Sequence, residues 1–418
     1  QLPDGKGRLP RCRITDWPSF RVRGFMQDVG RAYIPLEELK TEIDNLSRFK
    51  VNVFHWHLTE NQAWRLEIKA FPQLTSASSM TRDPGCFYTQ EEVRSLAAWC
   101  RERQVMLIPE IDLPGHSAAF ERAMGFGMQT PEGKAALKQI FEEVCRLFDG
   151  PYIHIGTDEV AFADKTLVPE MVAFLRDRGK KVISWNPGWQ YAPGEIDMTQ
   201  LWSYRGKAQE GIPAIDCRLP YINHFDMFGD LVGLYTSKIC RVEEGSGEVA
   251  GSIVALWNDR NLPDVRQRLL QNNFYPAVLA IAARAWQGGG YQYFDDFGVC
   301  LPADAQHPAT ADFADFERRL LYHKQHTLPA DTPLAYVQQA DVLWNISEVF
   351  PNEGDLQRCF APEEALTVKN PWALLSTLPA TKARGNGIYF RHVWGPGTVA
   401  AYFKDPQPNS PVYAWRRV

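Results

Sequence analysis

The sequence predicts an α/β protein built on a closed (β/α)8 (TIM) barrel, with a small C-terminal β-rich appendage. Two observations carry this. Short apolar runs that end in polar or aromatic residues alternate with helical patterns along most of the chain, as a parallel sheet covered by helices requires. No Gly-rich phosphate loop follows the first run, where Val29, Gly30, Arg31 and Ala32 stand instead; an open doubly wound sheet usually carries one there.

In chain order the predicted strands are Arg23–Asp28, Val51–His57, Met106–Asp112, Tyr152–Glu159, Lys181–Trp185, Met198–Tyr204, Arg218–Asn223 and Ser252–Trp257. Apolar residues at three- and four-residue spacing mark helices over Pro35–Phe49, Thr89–Arg103, Pro131–Phe148 and Leu167–Arg178. Thr89 with Glu92 makes a capping-box start, and Gly179 is a helix stop. Further helical patterns surround Pro263–Ala285 and Ala311–Gln325. From about Leu334 the chain is Pro-rich, with alternating runs Gly387–His392 and Val399–Phe403. The expected organisation is an N-terminal linker over 1–19, the barrel over 20–330 and a β-rich extension over 331–418.

A chain of 418 residues exceeds the ~250 of a typical barrel, which leaves room for that extension. Apolar residues make up 45% and charged ones 23%, the composition of a folded globular protein. Lys and Arg number 45 against 50 Asp and Glu, a formal charge of −5, and no long basic run exists to serve a nucleic acid or an anionic membrane. The longest apolar stretch, Phe274–Ala283, is interrupted by Pro276 and is too short to span a bilayer. Cys12, Cys86, Cys100, Cys145, Cys217, Cys240, Cys300 and Cys359 form no Cys-x-x-Cys pair; they read as buried thiols, or as one or two disulfides if the protein is exported. The start, Gln1 to Gly7, has neither an initiator Met nor an apolar signal core. The chain is therefore expected to lie inside a longer precursor, exported to the periplasm, cell surface or medium.

Barrel active sites gather at the C-terminal strand ends. The residues there are rich in acids, histidines and tryptophans: His55, Trp56, His57, Glu60 and Asn61 after the second strand; Glu110, Asp112 and His116 after the third; Asp158 and Glu159 after the fourth. Trp185, Trp202, Tyr221 with Asn223, and Trp257 with Asp259 close the remaining four. Carboxylates among aromatic rings suit a sugar, whose C–H faces stack on indoles while acids bond its hydroxyls. Adjacent Asp158 and Glu159 would divide the work of glycosidic cleavage, one protonating the leaving oxygen and the other serving another substituent. Each feature also has a plainer reading. An Asp-Glu pair often caps a helix, a single Trp is commonly core, and His55-x-His57 either begins a metal site or is a structural pair in the barrel mouth.

These segments resemble glycoside hydrolase family 20, the β-N-acetylhexosaminidases, of bacterial type, over about Arg23 to Trp286. The likeness is carried by Arg23-Gly24 with Asp28 and Arg31; His55-Trp56-His57-Leu58-Thr59 leading to Gln62 and Trp64; Ile108-Pro109-Glu110-Ile111-Asp112 with Pro114-Gly115-His116; and His154-Ile155-Gly156-Thr157-Asp158-Glu159-Val160. The tail from about Gly387 resembles the family's C-terminal region less closely. The small α/β domain that members commonly carry before the barrel is not seen.

The resemblance implies an exo-acting, retaining enzyme that removes terminal β-linked N-acetylhexosamine from glycans, using the substrate's own 2-acetamido oxygen as nucleophile and no cofactor. It makes Glu159 the general acid/base and Asp158 the partner of the acetamido N–H. Tyr221 would bond the acetamido oxygen, and Trp185, Trp202 and Trp257 would wall the pocket. Arg23, Glu60, His116, Asn223 and Asp259 would complete the sugar contacts. Three positions depart from the pattern: Glu60 replaces an Asp and is followed by Asn61, Asn223 replaces an acid, and Asp259 replaces a Glu. Two rivals come from other classes, a non-catalytic glycan-binding relative and a metal-dependent amidohydrolase using His55 and His57.

Overall fold

The computed structural model describes residues 13–203, 205–222, 231–259, 261–262, 264–272, 274–291, 306 and 308–334, and in the tail 354–357, 365–368, 383–384, 388–391, 399–404 and 412–417. Nine strands form one parallel sheet: β1 Val22–Asp28, β2 Val53–His57, β3 Met106–Leu113, β4 Tyr152–Gly156, β5 Lys181–Asn186, β6 Met198–Leu201, β7 Ala214–Asp216, β8 Tyr221–Ile222 and β9 Val249–Leu256. Pairing of β1 with β9, from Val22↔Gly251 to Gln27↔Leu256, closes it into a barrel. At the seam Gly251 has φ 147°, and a Cβ there would stand 1.9 Å from the Val22 carbonyl oxygen, so only glycine lets the first and last strands meet.

The expected eight staves are present, but the seventh is broken. Its lower piece, β7, pairs with β6 and the base of β9, and its upper piece, β8, joins β9 at Tyr221↔Ala255. Between them Asp216 turns its carboxylate to Arg218 and the Cys240 amide, and Pro220 has no N–H to give a ladder. The run predicted over Arg218–Asn223 therefore covers only the upper piece.

Helices cover the barrel: α1 Leu36–Ser47, α2 Gln90–Glu102, α3 Ala118–Met124, α4 Pro131–Leu147, α5 Leu167–Arg176, α6 Leu231–Thr236, α7 Val265–Gln271, α8 Phe274–Gln287 and α9 Pro308–His326. The capping box at Thr89 forms as expected, with Glu92 N–H donating to Thr89 Oγ1 at 3.2 Å and Thr89 N–H donating to Glu92 Oε2 at 2.8 Å. Helices α3 and α6 were not anticipated, and the single pattern over Pro263–Ala285 divides into α7 and α8. In the tail Gly354–Gln357 pairs antiparallel with Ala365–Val368, and Ala383–Arg384, Ile388–Arg391, Val399–Lys404 and Val412–Arg417 make a four-stranded antiparallel sheet.

Strand alternation separates two cores. Outward residues such as Phe25, Phe54 and Trp56 pack under the helices, with Phe25 stacked on Phe54 at 4.8 Å; each buried aromatic adds about 1.5–3 kcal/mol. Inward residues Met26, Val53, Ile108, Ile183, Met198, Ile215 and Ile253 fill the barrel. The same register makes the inside polar toward the C-terminal end. Met26 is level with His55 and Asp28 with His57, while Glu110 is level with both His57 and His154.

Candidate active site

Glu110 is the hub of that polar layer. Its carboxylate accepts from Trp185 Nε1 at 2.7 Å and His57 Nδ1 at 2.6 Å, and lies 2.8 Å from His55 Nε2 and 3.1 Å from His154 Nδ1. Burial alone would raise the Glu110 carboxyl, but the imidazoles that surround it, His57 foremost, hold it well below the usual range. Burial takes His55 down to about 4, leaving it neutral. One nitrogen of His55 and one of His57 face the Glu110 carboxylate in a fully buried layer, which also holds the Trp185 indole N–H. His55, Glu110 and His154, and likewise His57, Glu110 and Asp112, have the spacing of a metal-binding group.

Above this layer the chain becomes strained. β4 ends at Gly156, and Gly156, Thr157 and Glu159 have φ of 66°, 85° and 49°. A Cβ on Gly156 would fall 1.7 Å from Asp112 Oδ1, so the glycine lets Asp112 reach under the loop and accept the Thr157 N–H at 3.3 Å. Left-handed φ at Thr157 and Glu159 is the kind of strain that functional sites hold. It sends neighbouring carboxylates in different directions: Asp158 is 5% exposed, whereas the Glu159 side chain is 56% exposed.

Asp158 Oδ1 is buried without a hydrogen-bond partner among the described residues. Burial pushes its carboxyl up to about 7 against the pull of the His116 charge, and burial together with the Asp158 charge holds Asp112 well above the usual Asp range. His116 joins three acids. Its Nδ1 lies 2.6 Å from Glu60 Oε1, and its Nε2 lies 3.5 Å from Glu159 Oε2 and 3.8 Å from Asp158 Oδ2. Burial opposes the imidazolium, but the bonds to Glu159 and Glu60 outweigh it and raise His116 to about 12. The same contact lowers Glu159, with burial partly offsetting it.

Aromatic rings form a continuous wall: Trp185 to Trp257 at 5.8 Å, Trp257 to Tyr221 at 5.4 Å, and Tyr221 to Trp202 at 5.9 Å. Burial, with the charge of Asp158 adding to it, keeps the Tyr221 hydroxyl protonated well above its usual range. Arg31 lies 5.0 Å from the centre of the Trp257 ring and bonds Asp28 at 2.9 Å, Glu60 at 2.5 Å and Asp259 at 3.4 Å. Those three charges outweigh burial and raise its pKa.

The structure thus brings together Asp158, Glu159, His116, Glu60, Trp185, Trp202, Tyr221, Trp257 and Asp259. Asn223, with His224 beside it, lies outside the described residues. Arg23 is not in the group. It sits at the N-terminal end of β1, where its guanidinium donates to Phe20 O at 2.6 Å and Lys50 O at 2.8 Å. Arg31, quoted in the motif but not expected to bind sugar, holds the corresponding place at the mouth. Glu60, 1% exposed, faces His116 and Arg31 and positions those two groups.

A parallel barrel whose C-terminal mouth holds a buried Asp with one oxygen unpaired among the described residues, a His-linked Glu and a tryptophan wall has the architecture of a glycoside hydrolase domain. Residues 20–134 match the model of the glycosyl hydrolase family 20 catalytic domain. It is 36% identical over 214 residues to a β-hexosaminidase of Vibrio furnissii, covering 42% of this chain and 35% of that protein. It is 26% identical over 372 residues to a β-hexosaminidase of Akkermansia muciniphila, covering 71% and 73%. The solved β-N-acetylhexosaminidase of Bacteroides fragilis superposes with a TM-score of 0.61 at 26% identity, covering 76% of this chain and 73% of that one. The chain spans about a third of the length of the Vibrio relative.

Proposed function

We propose that this chain is an exo-acting, retaining β-N-acetylhexosaminidase that cleaves terminal β-linked N-acetylhexosamine from glycans by substrate assistance. The observation that carries it is Asp158 Oδ1, a buried carboxylate oxygen with no partner among the described residues, beside an acid half open to the cleft. An acetamido N–H is a donor of the right kind for it. Glu159 protonates the glycosidic oxygen as the C–O bond breaks. The 2-acetamido carbonyl oxygen closes on the anomeric carbon to give an oxazolinium ion, whose N–H and positive charge Asp158 holds. Tyr221 donates to the acetamido oxygen and directs it. Glu159, now a carboxylate, takes a proton from the water that opens the ring, so configuration is retained.

At rest the proton resides on His116, because His116 is raised and Glu159 lowered. A sugar that excludes water from Glu159 raises its pKa, and the proton passes from His116 Nε2 to the carboxylate 3.5 Å away. Glu60, fixed by Arg31, keeps the imidazole aimed during that transfer. Arg31 and Asp259 would bond the far hydroxyls of the sugar. No described helix is long and apolar enough to cross a membrane. Export remains part of the proposal, because polymeric glycans do not enter cells intact, and cell fractionation tests it.

The test is a matched pair of aryl glycosides. The β-N-acetylglucosaminide should be hydrolysed and the β-glucoside should not, since the latter lacks the nucleophile. Comparable rates on both would overturn the mechanism. Glu159→Gln should cost about 10²–10⁴ in rate on a disaccharide, and less on an aryl glycoside, whose leaving group needs little protonation.

A further inference from the structure

Beside Glu159 a cleft of about 460 Å³ lies between the loops after β4, β5 and β6. Its lining includes Phe162, Asn186, Gln190, Trp202, Arg205 and Lys207. Among the described residues that line it, Glu159 is the only acid, against the two cations Arg205 and Lys207. Arg205 and Lys207 are both exposed, and neither forms an ion pair with any described residue, in contrast to Arg31, Arg176 and Arg218.

The backbone that carries the two cations is held in place. Asn186 Nδ2 donates to Lys207 O and Gln209 Oε1, both at 3.3 Å. Arg218, itself neutralised by Asp216, donates to Gly206 O at 3.0 Å. Gly206 N–H donates to Ser203 O at 2.8 Å, and Arg205 N–H to Ser203 Oγ at 3.2 Å. A loop fixed in advance loses less entropy on binding. Trp202, bonded through Nε1 to Pro187 O at 2.7 Å, contributes to both the inner pocket wall and the cleft. The two spaces therefore adjoin at Glu159, where the scissile oxygen must lie.

We propose that this cleft receives the sugar on the leaving-group side of the scissile bond, and that this sugar is acidic, with a carboxylate or sulfate ester bound by Arg205 and Lys207. This rests on the hydrolase reading above and extends it from the terminal hexosamine to its neighbour. Trp202 and Phe162 offer apolar faces to a pyranose ring, Asn186 and Gln190 offer amides to its hydroxyls, and the two cations select the anion. Exposed ion pairs are individually weak, and two of them together amount to about a tenfold preference.

Three disaccharides test this: N-acetylglucosamine β-linked to glucose, to glucuronate and to glucose 6-sulfate. At low ionic strength kcat/KM for at least one acidic substrate should exceed that for the neutral one by about tenfold, mainly through KM, and the excess should shrink as salt screens it. A gain confined to the uronate or to the sulfate identifies which anion is read. Arg205→Gln with Lys207→Gln should bring the ratio close to one, while Arg205→Lys with Lys207→Arg should retain it, separating charge from folding. A wild-type ratio near one, or an unchanged ratio in the double glutamine variant, overturns the proposal. If none of the three is cleaved, the hydrolase reading fails by itself, and the calorimetric affinities of the same disaccharides then decide the cleft: acid preference retains it and equal affinities overturn it.

Discussion

Arg23 and Arg31 stand at opposite ends of β1 and live in opposite surroundings. Arg23, at the N-terminal end, meets backbone carbonyls of Phe20 and Lys50 and the ring of Trp286, and burial lowers its pKa. Arg31, at the C-terminal end, meets Asp28, Glu60 and Asp259, which raise its pKa. The first ties the strand to the chain beneath it through neutral dipoles. The second sits in a field of carboxylates that also orients His116. In a parallel barrel all strands point the same way, so the end from which a side chain leaves decides whether it serves stability or chemistry.

The largest expected effect breaks that contrast at its active end. Arg31→Leu leaves Asp28 and Glu60 without their countercharge, and loss of one partner of a buried pair costs about 3–5 kcal/mol. We expect kcat/KM on an aryl β-N-acetylglucosaminide to fall by at least about 10²-fold, which corresponds to about 2.7 kcal/mol. The pH dependence of the variant should also change, because Glu60 is freed to pull the proton of His116 toward itself. A loss below tenfold would place Arg31 outside the sugar site.

Next in size is the acid limb of the pH profile. Asp158 must be ionised to hold the oxazolinium charge, and burial has raised it to about 7. The ionised fraction therefore falls as pH drops through that value. In the free enzyme kcat/KM should decline about tenfold per unit below pH ~7 and level off above it. Asp158→Asn should lower the rate and remove this limb. A profile flat from pH 5 to 8 in the parent enzyme would contradict the assignment.

How far the sequence shows all this depends on the range over which each feature is specified. Strands buried on both faces read as apolar runs, so β1 to β6 and β9 were legible to within a few residues. Ala214–Asp216 was missed because three residues are too few to stand out as a run. Trp185, Trp202, Tyr221 and Trp257 were legible as strand-closing residues. The Glu60–His116–Glu159 chain was not, since it joins the loops after three strands and depends on left-handed backbone at His116 and Glu159, which local sequence does not encode. Arg23 is different. Its position at the start of a strand places it at the N-terminal end of the barrel, so strand direction is the signal that separates it from the sugar site.

The smallest effect sharpens the comparison at the quiet end. Arg23→Leu removes the donor from Phe20 O and Lys50 O and the cation from Trp286. Each buried carbonyl left unpaired costs about 1–3 kcal/mol, but leucine restores part of the packing and water can reach the partly exposed Lys50 carbonyl. The net loss of stability should lie near ~1–2 kcal/mol, read as a lowered Tm or denaturant midpoint. Activity should tell the opposite story from Arg31, with kcat and KM each within about threefold of the parent, since Arg23 acts on no group at the barrel mouth. A hundredfold loss of kcat/KM at unchanged Tm would mean that the lower end of β1 transmits to the site, and the division of labour between the two arginines would have to be abandoned.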